Sequence, residues 1–129
     1  VKTLENAAAI ARPGGRIICA ARCEEHYGNG VLQSWIETIH DGDAMLDRLE
    51  RQFVLGAHKV KPIQKLIRRN SVHLYSEMPP SIVRLIGFHP VEDWEAAIHE
   101  VDLGEDVSVA VMPYGAVTFP VKSPALAPR

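Results

Sequence analysis

Residues 11–21, ARPGGRIICAA, join an Ala-rich helix to a buried strand through one tight turn, and this junction decides the predicted fold. Pro13 cannot continue a helix, and the two glycines after it permit backbone angles that other residues avoid. The run 17–21 is apolar without alternation, which is typical of a strand covered on both faces in a parallel sheet. Ligands of open α/β sheets bind beyond the carboxyl ends of the strands. The loop 22–30 is therefore the first place to expect a functional site.

Composition narrows the class of protein. The chain has 129 residues and a formal net charge of -2, which suits one domain and gives no reason to expect nucleic acid or a membrane as partner. No apolar run is long enough to span a bilayer, and no signal-peptide pattern opens the chain. Cys19 and Cys23 lie too close along an extended segment for a good disulfide, and two reduced thiols predict a cytoplasmic location.

Hydrophobic periodicity extends this prediction along the chain. Apolar residues at helical spacing include Phe53 in the third helix and Trp94 and Ile98 in the last, and strict alternation marks the later strands. Pro62 is acceptable only in the first turn of its helix. The pattern predicts helices over 3–12, 31–39, 41–53, 60–69, 81–86 and 93–101, and strands over 71–76, 107–111 and 117–119.

Helices between the strands imply crossover connections and a mainly parallel sheet. The predicted fold is α/β, a three-layer domain with a small, mainly parallel sheet flanked by helices over residues 1–121. A loose C-terminal tail is predicted over 122–129, where there are two prolines and no periodicity. Because the chain opens on Val1 rather than Met, with Lys2 at the edge of the first helix, we interpret it as cut from a longer polypeptide.

Motifs alone identify no chemistry. The dinucleotide-binding GxGxxG, the phosphate loop GxxxxGK[ST], GxSxG and HExxH are all absent. His58 stands between Gly56 and Lys59 where a helix opens, and spacing alone makes it an ordinary helix-start residue. Gly28 and its neighbours could leave the first amides of the next helix free for an anion, but a flexible turn is the favoured interpretation.

Three segments together resemble the C-terminal domain of the nickel-dependent lactate racemase family. They are VKTLENAAAIARPGGRIICAARCEEHYG at the start, LGAHK in the middle, and VSVAVMPYGAVTFP near the end. The family has a lysine before an Ala-rich helix, a PGG turn, an apolar strand, a glycine-histidine-lysine helix opening and a Pro-x-Gly hairpin. No single motif is specific to the family, but their order and spacing together are fairly so, and the similarity covers most of the chain.

The resemblance implies a two-domain enzyme that racemises or epimerises 2-hydroxy acids by hydride transfer to a nickel pincer nucleotide. An N-terminal domain would supply the catalytic histidines and hold the cofactor, so this chain would contain no catalytic residue or metal ligand and be inactive alone. Lys2 would bind the substrate carboxylate, and His58 and Lys59 would lie near the cofactor. A family tryptophan aligns with His58, which implies a 2-hydroxy acid other than lactate.

Two other functions stay open. The chain could be a stand-alone α/β ligand-binding or interaction module without catalysis, in which case no large apolar surface should be exposed. It could also bind a nucleotide through the loop 22–30, and Gly28→Val would then abolish binding.

Overall fold

The computed structural model describes residues 1–101 and 107–121 and is an α/β domain. In these residues a three-stranded parallel sheet has the order β1-β2-β3, and six helices pack against it. The strands are β1 (Arg16–Ala20), β2 (Ser71–Tyr75) and β3 (His89–Pro90). The helices are α1 (Lys2–Ala8), α2 (Gly30–Ile39), α3 (Gly42–Arg51), α4 (Val60–Arg69), α5 (Pro80–Ile86) and α6 (Trp94–Val101), with short 3-10 turns at Ala57–Lys59 and Gly115–Val117.

The turn between α1 and β1 is held by the end of α4. Gly14 has a φ of 80° and donates its amide to Arg69 O at 2.7 Å. The buried Asn70 donates its side-chain amide to Arg12 O at 2.7 Å and to Gly15 O at 3.0 Å. The glycines were predicted to make a tight turn, and the structure confirms that prediction and adds the residue that fixes the turn.

The two faces of the sheet differ. Ile17 pairs in register with Val72, and both face the main core with Leu74. The opposite face carries Tyr75, whose ring lies 5.9 Å from that of Trp94 in α6. Helices therefore cover both faces, as a three-layer fold requires. The core lies on the first of these faces, and no described side chain of α6 contributes to it; its members include Leu4, Ile17, Leu32, Trp35, Ile36, Met45, Val60, Ile63, Leu66, Val72, Leu74 and Val83.

Several predicted helix ends are confirmed by their capping residues. Asp41 accepts from the amides of Asp43 and Ala44 and so begins α3. Pro62 lies in the first turn of α4, where its missing N–H costs no hydrogen bond. Gly87, with a φ of 105°, ends α5 in the left-handed conformation. None of the described helices is long and apolar enough to cross a membrane.

Two predicted strands are wrong. Residues 107–111 form no strand, and Val111 is 81% exposed, because no strand edge pairs with this alternating segment. The third strand is instead His89–Pro90, which pairs with β2 directly after α5. The predicted edge strand 117–119 is partly replaced by the turn Gly115–Val117. The predicted tail, 122–129, lies outside the described residues.

Other predictions on burial are also corrected. Phe53 follows the end of α3 and is 68% exposed, and Ile98 on α6 is exposed as well. α1 ends at Ala8, earlier than predicted, and its last turn is tightened by the bond from Ile10 N to Ala7 O. The β1 run is not fully buried either, because Ala20 is exposed and Ile18 and Cys19 are only half-buried.

Candidate functional site

The loop 22–30 follows the carboxyl end of β1 and folds into two consecutive turns. His26 N donates to Cys23 O at 2.9 Å, and Gly28 N donates to Glu25 O at 2.9 Å. Cys23, His26 and Gly28 all have positive φ values, between 52° and 67°. The loop is therefore a specific backbone structure rather than a slack connection.

Arg22 joins this loop to the segment after β2. Its guanidinium lies 2.8 Å from a carboxylate oxygen of Glu24 and 3.3 Å from one of Glu77. Its carbonyl oxygen also accepts from Glu77 N at 3.0 Å. Two carboxylates thus neutralise this cation, and the loop offers no unpaired arginine to a phosphate.

The start of α2 is capped by its own chain. Asn29 Oδ1 accepts from Val31 N at 2.9 Å and from Leu32 N at 3.1 Å. These are the amides that would bind an anion if they were free. The alternative of an anion site on free amides is therefore wrong for Val31 and Leu32, and the favoured interpretation of this segment as a turn agrees with the structure. Asn29 is the capping residue, and its presence in the sequence is the signal that distinguishes a capped helix start from one with free amides.

The loop 22–30 meets the His58 segment at one point. Gly56 has a φ of 90°, and a side chain there would collide with Asn29 Oδ1. Gly56 N donates to His58 Nδ1 at 3.0 Å, and the His58 ring lies 5.5 Å from that of Phe53. An imidazole nitrogen that accepts carries no proton, so the neutral tautomer of His58 has its proton on Nε2. The structure thus brings the loop 22–30 into contact with the segment that carries His58, and the sequence had singled out both.

Lys2 contacts the segment near the C-terminus. It is exposed, and its Nζ lies 5.3 Å from the centroid of the Phe119 ring. Asn6 Nδ2 donates to Gly115 O at 2.9 Å and fastens α1 to the same segment. α1 precedes β1 through a reversing turn, so its first residue lies toward the carboxyl end of the sheet. Sequence reasoning missed Phe119, because no spacing rule links residues so far apart.

The three predicted site residues therefore have separate neighbours. Lys2 contacts Phe119, whereas His58 contacts Gly56 and Phe53. Lys59 is half-buried, and its backbone amide donates to Gly56 O at 3.3 Å. All three lie on elements next to the carboxyl ends of the strands, but the described chain forms no single cluster from them.

The surroundings of the two thiols raise the pKa of both, which disfavours the thiolate. Burial raises the pKa of Cys19, the nearby Cys23 raises it further, and the positive charge of the Val1 amine lowers it in part. Burial also raises the pKa of Cys23, again opposed by the Val1 amine. Both cysteines are free. Because the thiolate is the reactive form, neither residue suits covalent catalysis.

Sequence reasoning missed a pair of histidines. His73 and His89 are partners on β2 and β3, and their rings stack with centroids 4.7 Å apart. Burial lowers the pKa of His73 most, followed by the charges of His89 and Arg16, whereas Glu100 raises it. Arg16 and Glu100 form an ion pair at 3.5 Å. Only the sheet register could have revealed this pair, and the register depends on where the third strand lies.

Metal binding finds no support in the part of the chain that is described. Within residues 1–101 and 107–121, no three histidine, cysteine, aspartate or glutamate side chains form a group able to hold a metal ion. The stacked histidines supply two such ligands at most. Comparison with protein-family models and with curated proteins gives no match to the chain.

Proposed function

We propose that the chain is the substrate-cleft domain of a nickel-pincer-dependent racemase or epimerase of 2-hydroxy acids, C-terminal to a catalytic domain. The observation that carries the proposal is the state of Lys2. It is an exposed cation beside the carboxyl ends of the strands, and none of the ion pairs among the described residues involves it. Its charge is therefore left for an anion from outside this domain.

The proposed task of Lys2 is to bind the carboxylate of the substrate. A charge-assisted hydrogen bond from the ammonium to a carboxylate is stronger than a neutral one. It also fixes the orientation of the 2-carbon, at which configuration is inverted. The contact with Phe119 holds the ammonium over a ring face, a position that cations favour.

His58 and Lys59 form the second part of the proposed cleft. His58 Nδ1 is occupied by the Gly56 amide, which leaves Nε2–H as the group able to donate to a ligand. The adjacent Lys59 adds a second positive charge next to the same turn. These groups can bind and orient an anionic ligand, and no proton transfer through them is required.

The cofactor belongs to the other domain in this proposal. The described residues lack a three-ligand group for nickel, so they do not fit a role in holding the metal. When bound, the pincer nucleotide supplies the hydride acceptor. The residues of this chain contribute binding and exclusion of water at the cleft, and no activity is expected from the chain alone.

Exposed apolar side chains also support a partner domain. Tyr114, Val117 and Phe119 are between 64% and 76% exposed, and Val107, Val109 and Val111 add to the same segment. Several large apolar side chains exposed on one segment are typical of a surface that another protein or domain covers. The segment lies next to Lys2, where the catalytic domain would have to sit.

The decisive experiment uses the polypeptide as its native cell produces it. We expect a mass well above 14.3 kDa, bound nickel, and racemisation of one or more of a panel of 2-hydroxy acids by chiral chromatography. Lys2→Met should lower kcat/KM by about 100-fold, because the substrate carboxylate loses its charge-assisted hydrogen bond, while Lys2→Arg should retain part of the activity.

Lys61→Met is the matched control, since Lys61 is an exposed lysine on α4, and its kcat/KM should equal that of the unaltered protein. Normal turnover in Lys2→Met would remove that residue from the site. A native mass near that of this chain, with no nickel, would instead favour the stand-alone binding or interaction module.

A further inference from the structure

A cleft of about 270 Å³ opens among helices α2, α3, α4 and α5, and it involves neither Lys2 nor His58. Its floor is apolar: Ile36, Met45, Val60 and Ile63 line it, and each is at most 6% exposed. Small-molecule sites are concave, mostly apolar and supplied with a few polar groups. The cleft is concave and its floor is apolar, so it can accommodate a compact hydrocarbon group.

One buried polar side chain lines the cleft without a partner. Gln64 is 8% exposed, and its amide takes part in none of the hydrogen bonds within the described residues. Its Oε1 lies against Gly42, where a Cβ would collide with it. The amide atoms of Gln64 are not among the fully buried side-chain atoms of the described residues that lack a partner, so they stay accessible to a polar group that enters the cleft.

The rim of the cleft carries one negative and one positive side chain, Asp41 and Arg84, and only the first has hydrogen-bond partners among the described residues. Asp41 Oδ1 already accepts from the amides of Asp43 at 2.9 Å and Ala44 at 3.2 Å. Arg84 is exposed at the rim and takes part in no ion pair of the described chain. His40 completes the polar part of the rim. The Asp41 carboxylate keeps its charge but is held by two amides at the start of α3, whereas the Arg84 guanidinium has no carboxylate of the described chain beside it, so Arg84 is the group able to pair with an anion.

We propose that this cleft binds a small organic carboxylate, with its hydrocarbon body on the apolar floor and its carboxylate paired with Arg84. Gln64 provides an amide to any polar substituent along the ligand. This site is independent of the proposed racemase function, since it uses other residues on other elements. It gives the domain a ligand of its own whether or not a catalytic domain is attached.

The test is titration of the purified chain with hexanoate, followed by NMR and calorimetry. We expect saturable binding with a Kd of about 1 mM, in keeping with a ligand of few atoms. Arg84→Gln should weaken binding at least fivefold, and hexan-1-ol, which lacks the charge, should bind at least fivefold more weakly than hexanoate. Arg12→Gln, an exposed arginine outside the cleft, should leave the Kd unchanged.

Gly42→Ala tests the cleft without removing a charge. The added Cβ would collide with the end of the flexible Gln64 side chain, which lines the cleft and has to move, so binding should change while the fold remains. Gly30→Ala is the matched control, because Gly30 is also the first residue of a capped helix but has open space around it. Thermal unfolding of each variant verifies its fold.

Three results would overturn the proposal. They are the absence of saturable hexanoate binding, equal affinity of the unaltered chain and Arg84→Gln, and tighter binding of hexylammonium than of hexanoate. The last result would assign the rim charge to Asp41. If Gly42→Ala failed to fold, the exposed Arg84 variant would still decide the outcome.

Discussion

At the scale of single residues, Gly56 combines a left-handed backbone with a close neighbour. Its φ of 90° belongs to the left-handed region, and a side chain there would meet Asn29 Oδ1, which already caps α2. Gly56→Ala should therefore lower the free energy of unfolding by about 3 kcal/mol, through backbone strain together with the collision. Urea unfolding followed by circular dichroism measures this change.

Gly28→Ala separates the two causes. Gly28 also has a positive φ, 67°, but open space surrounds it, so the substitution should cost only about 1 kcal/mol. Equal losses in the two variants would show that the contact between the loop 22–30 and the His58 segment contributes nothing to stability.

The lowered pKa of His73 predicts how the free energy of unfolding depends on pH. Its folded pKa lies below the unfolded value of 6.5 because burial, His89 and Arg16 disfavour its charged form, against the opposing effect of Glu100. The unfolded chain then binds more protons, so stability falls as the pH drops from about 6.5 toward the folded pKa. Urea titrations between pH 5 and 8 should show this slope.

His73→Gln should flatten that slope, because the substitution removes the group whose pKa is lowered in the folded state. A slope that survives in His73→Gln would assign it to other groups. The stacked partner, His89, would be the next residue to replace.

At the scale of elements, Asn70 joins two connections at once. Its amide serves the turn before β1 while its backbone leads from α4 into β2. Asn70→Ala should cost about 2 kcal/mol, because two carbonyl oxygens lose their donor. The loss is limited because Asn70 Oδ1 is itself buried without a partner, and the substitution removes it.

Asn6→Ala is the comparison variant for this prediction. Asn6 donates one hydrogen bond, to Gly115 O, and its loss should cost about 1 kcal/mol. Thermal unfolding of both variants gives the ranking. A larger loss of stability in Asn6→Ala would show that the hydrogen bond between α1 and the 115–117 turn contributes more than the hydrogen bonds of the Asn70 side chain.

Elements with local signals were predictable, and elements that depend on distant partners were not. β1, β2 and the capped helices were read correctly, since Pro13, Asp41 and Gly87 act on their own neighbours. The strand predicted over 107–111 has the right residues for a strand but no partner in the structure. The two-residue β3 has almost no signal of its own, because pairing with β2 alone defines it.

At the scale of the whole molecule, the same distinction applies to function. The family resemblance singled out Lys2 and His58 as expected site residues, and the strand-end rule singled out the loop 22–30. The structure places this loop in contact with the His58 segment through Asn29 and Gly56. The sequence could not locate the cleft beneath Arg84, because four helices that are separate in sequence form its walls. Sites built from one segment are visible in a sequence, whereas sites built between elements need the packing.

The pairing of β1 with β2 has a consequence for how the chain comes to fold. Gly15 and Asn70, at the start of the two strands, are 55 residues apart, so a long loop must close before the ladder can form. Contacts of such sequence separation slow folding. During synthesis, β1 leaves the ribosome well before β2 has been made. The apolar residues of β1 therefore stay exposed to solvent until β2 emerges. The nascent chain is therefore expected to depend on chaperones until Tyr75 has emerged.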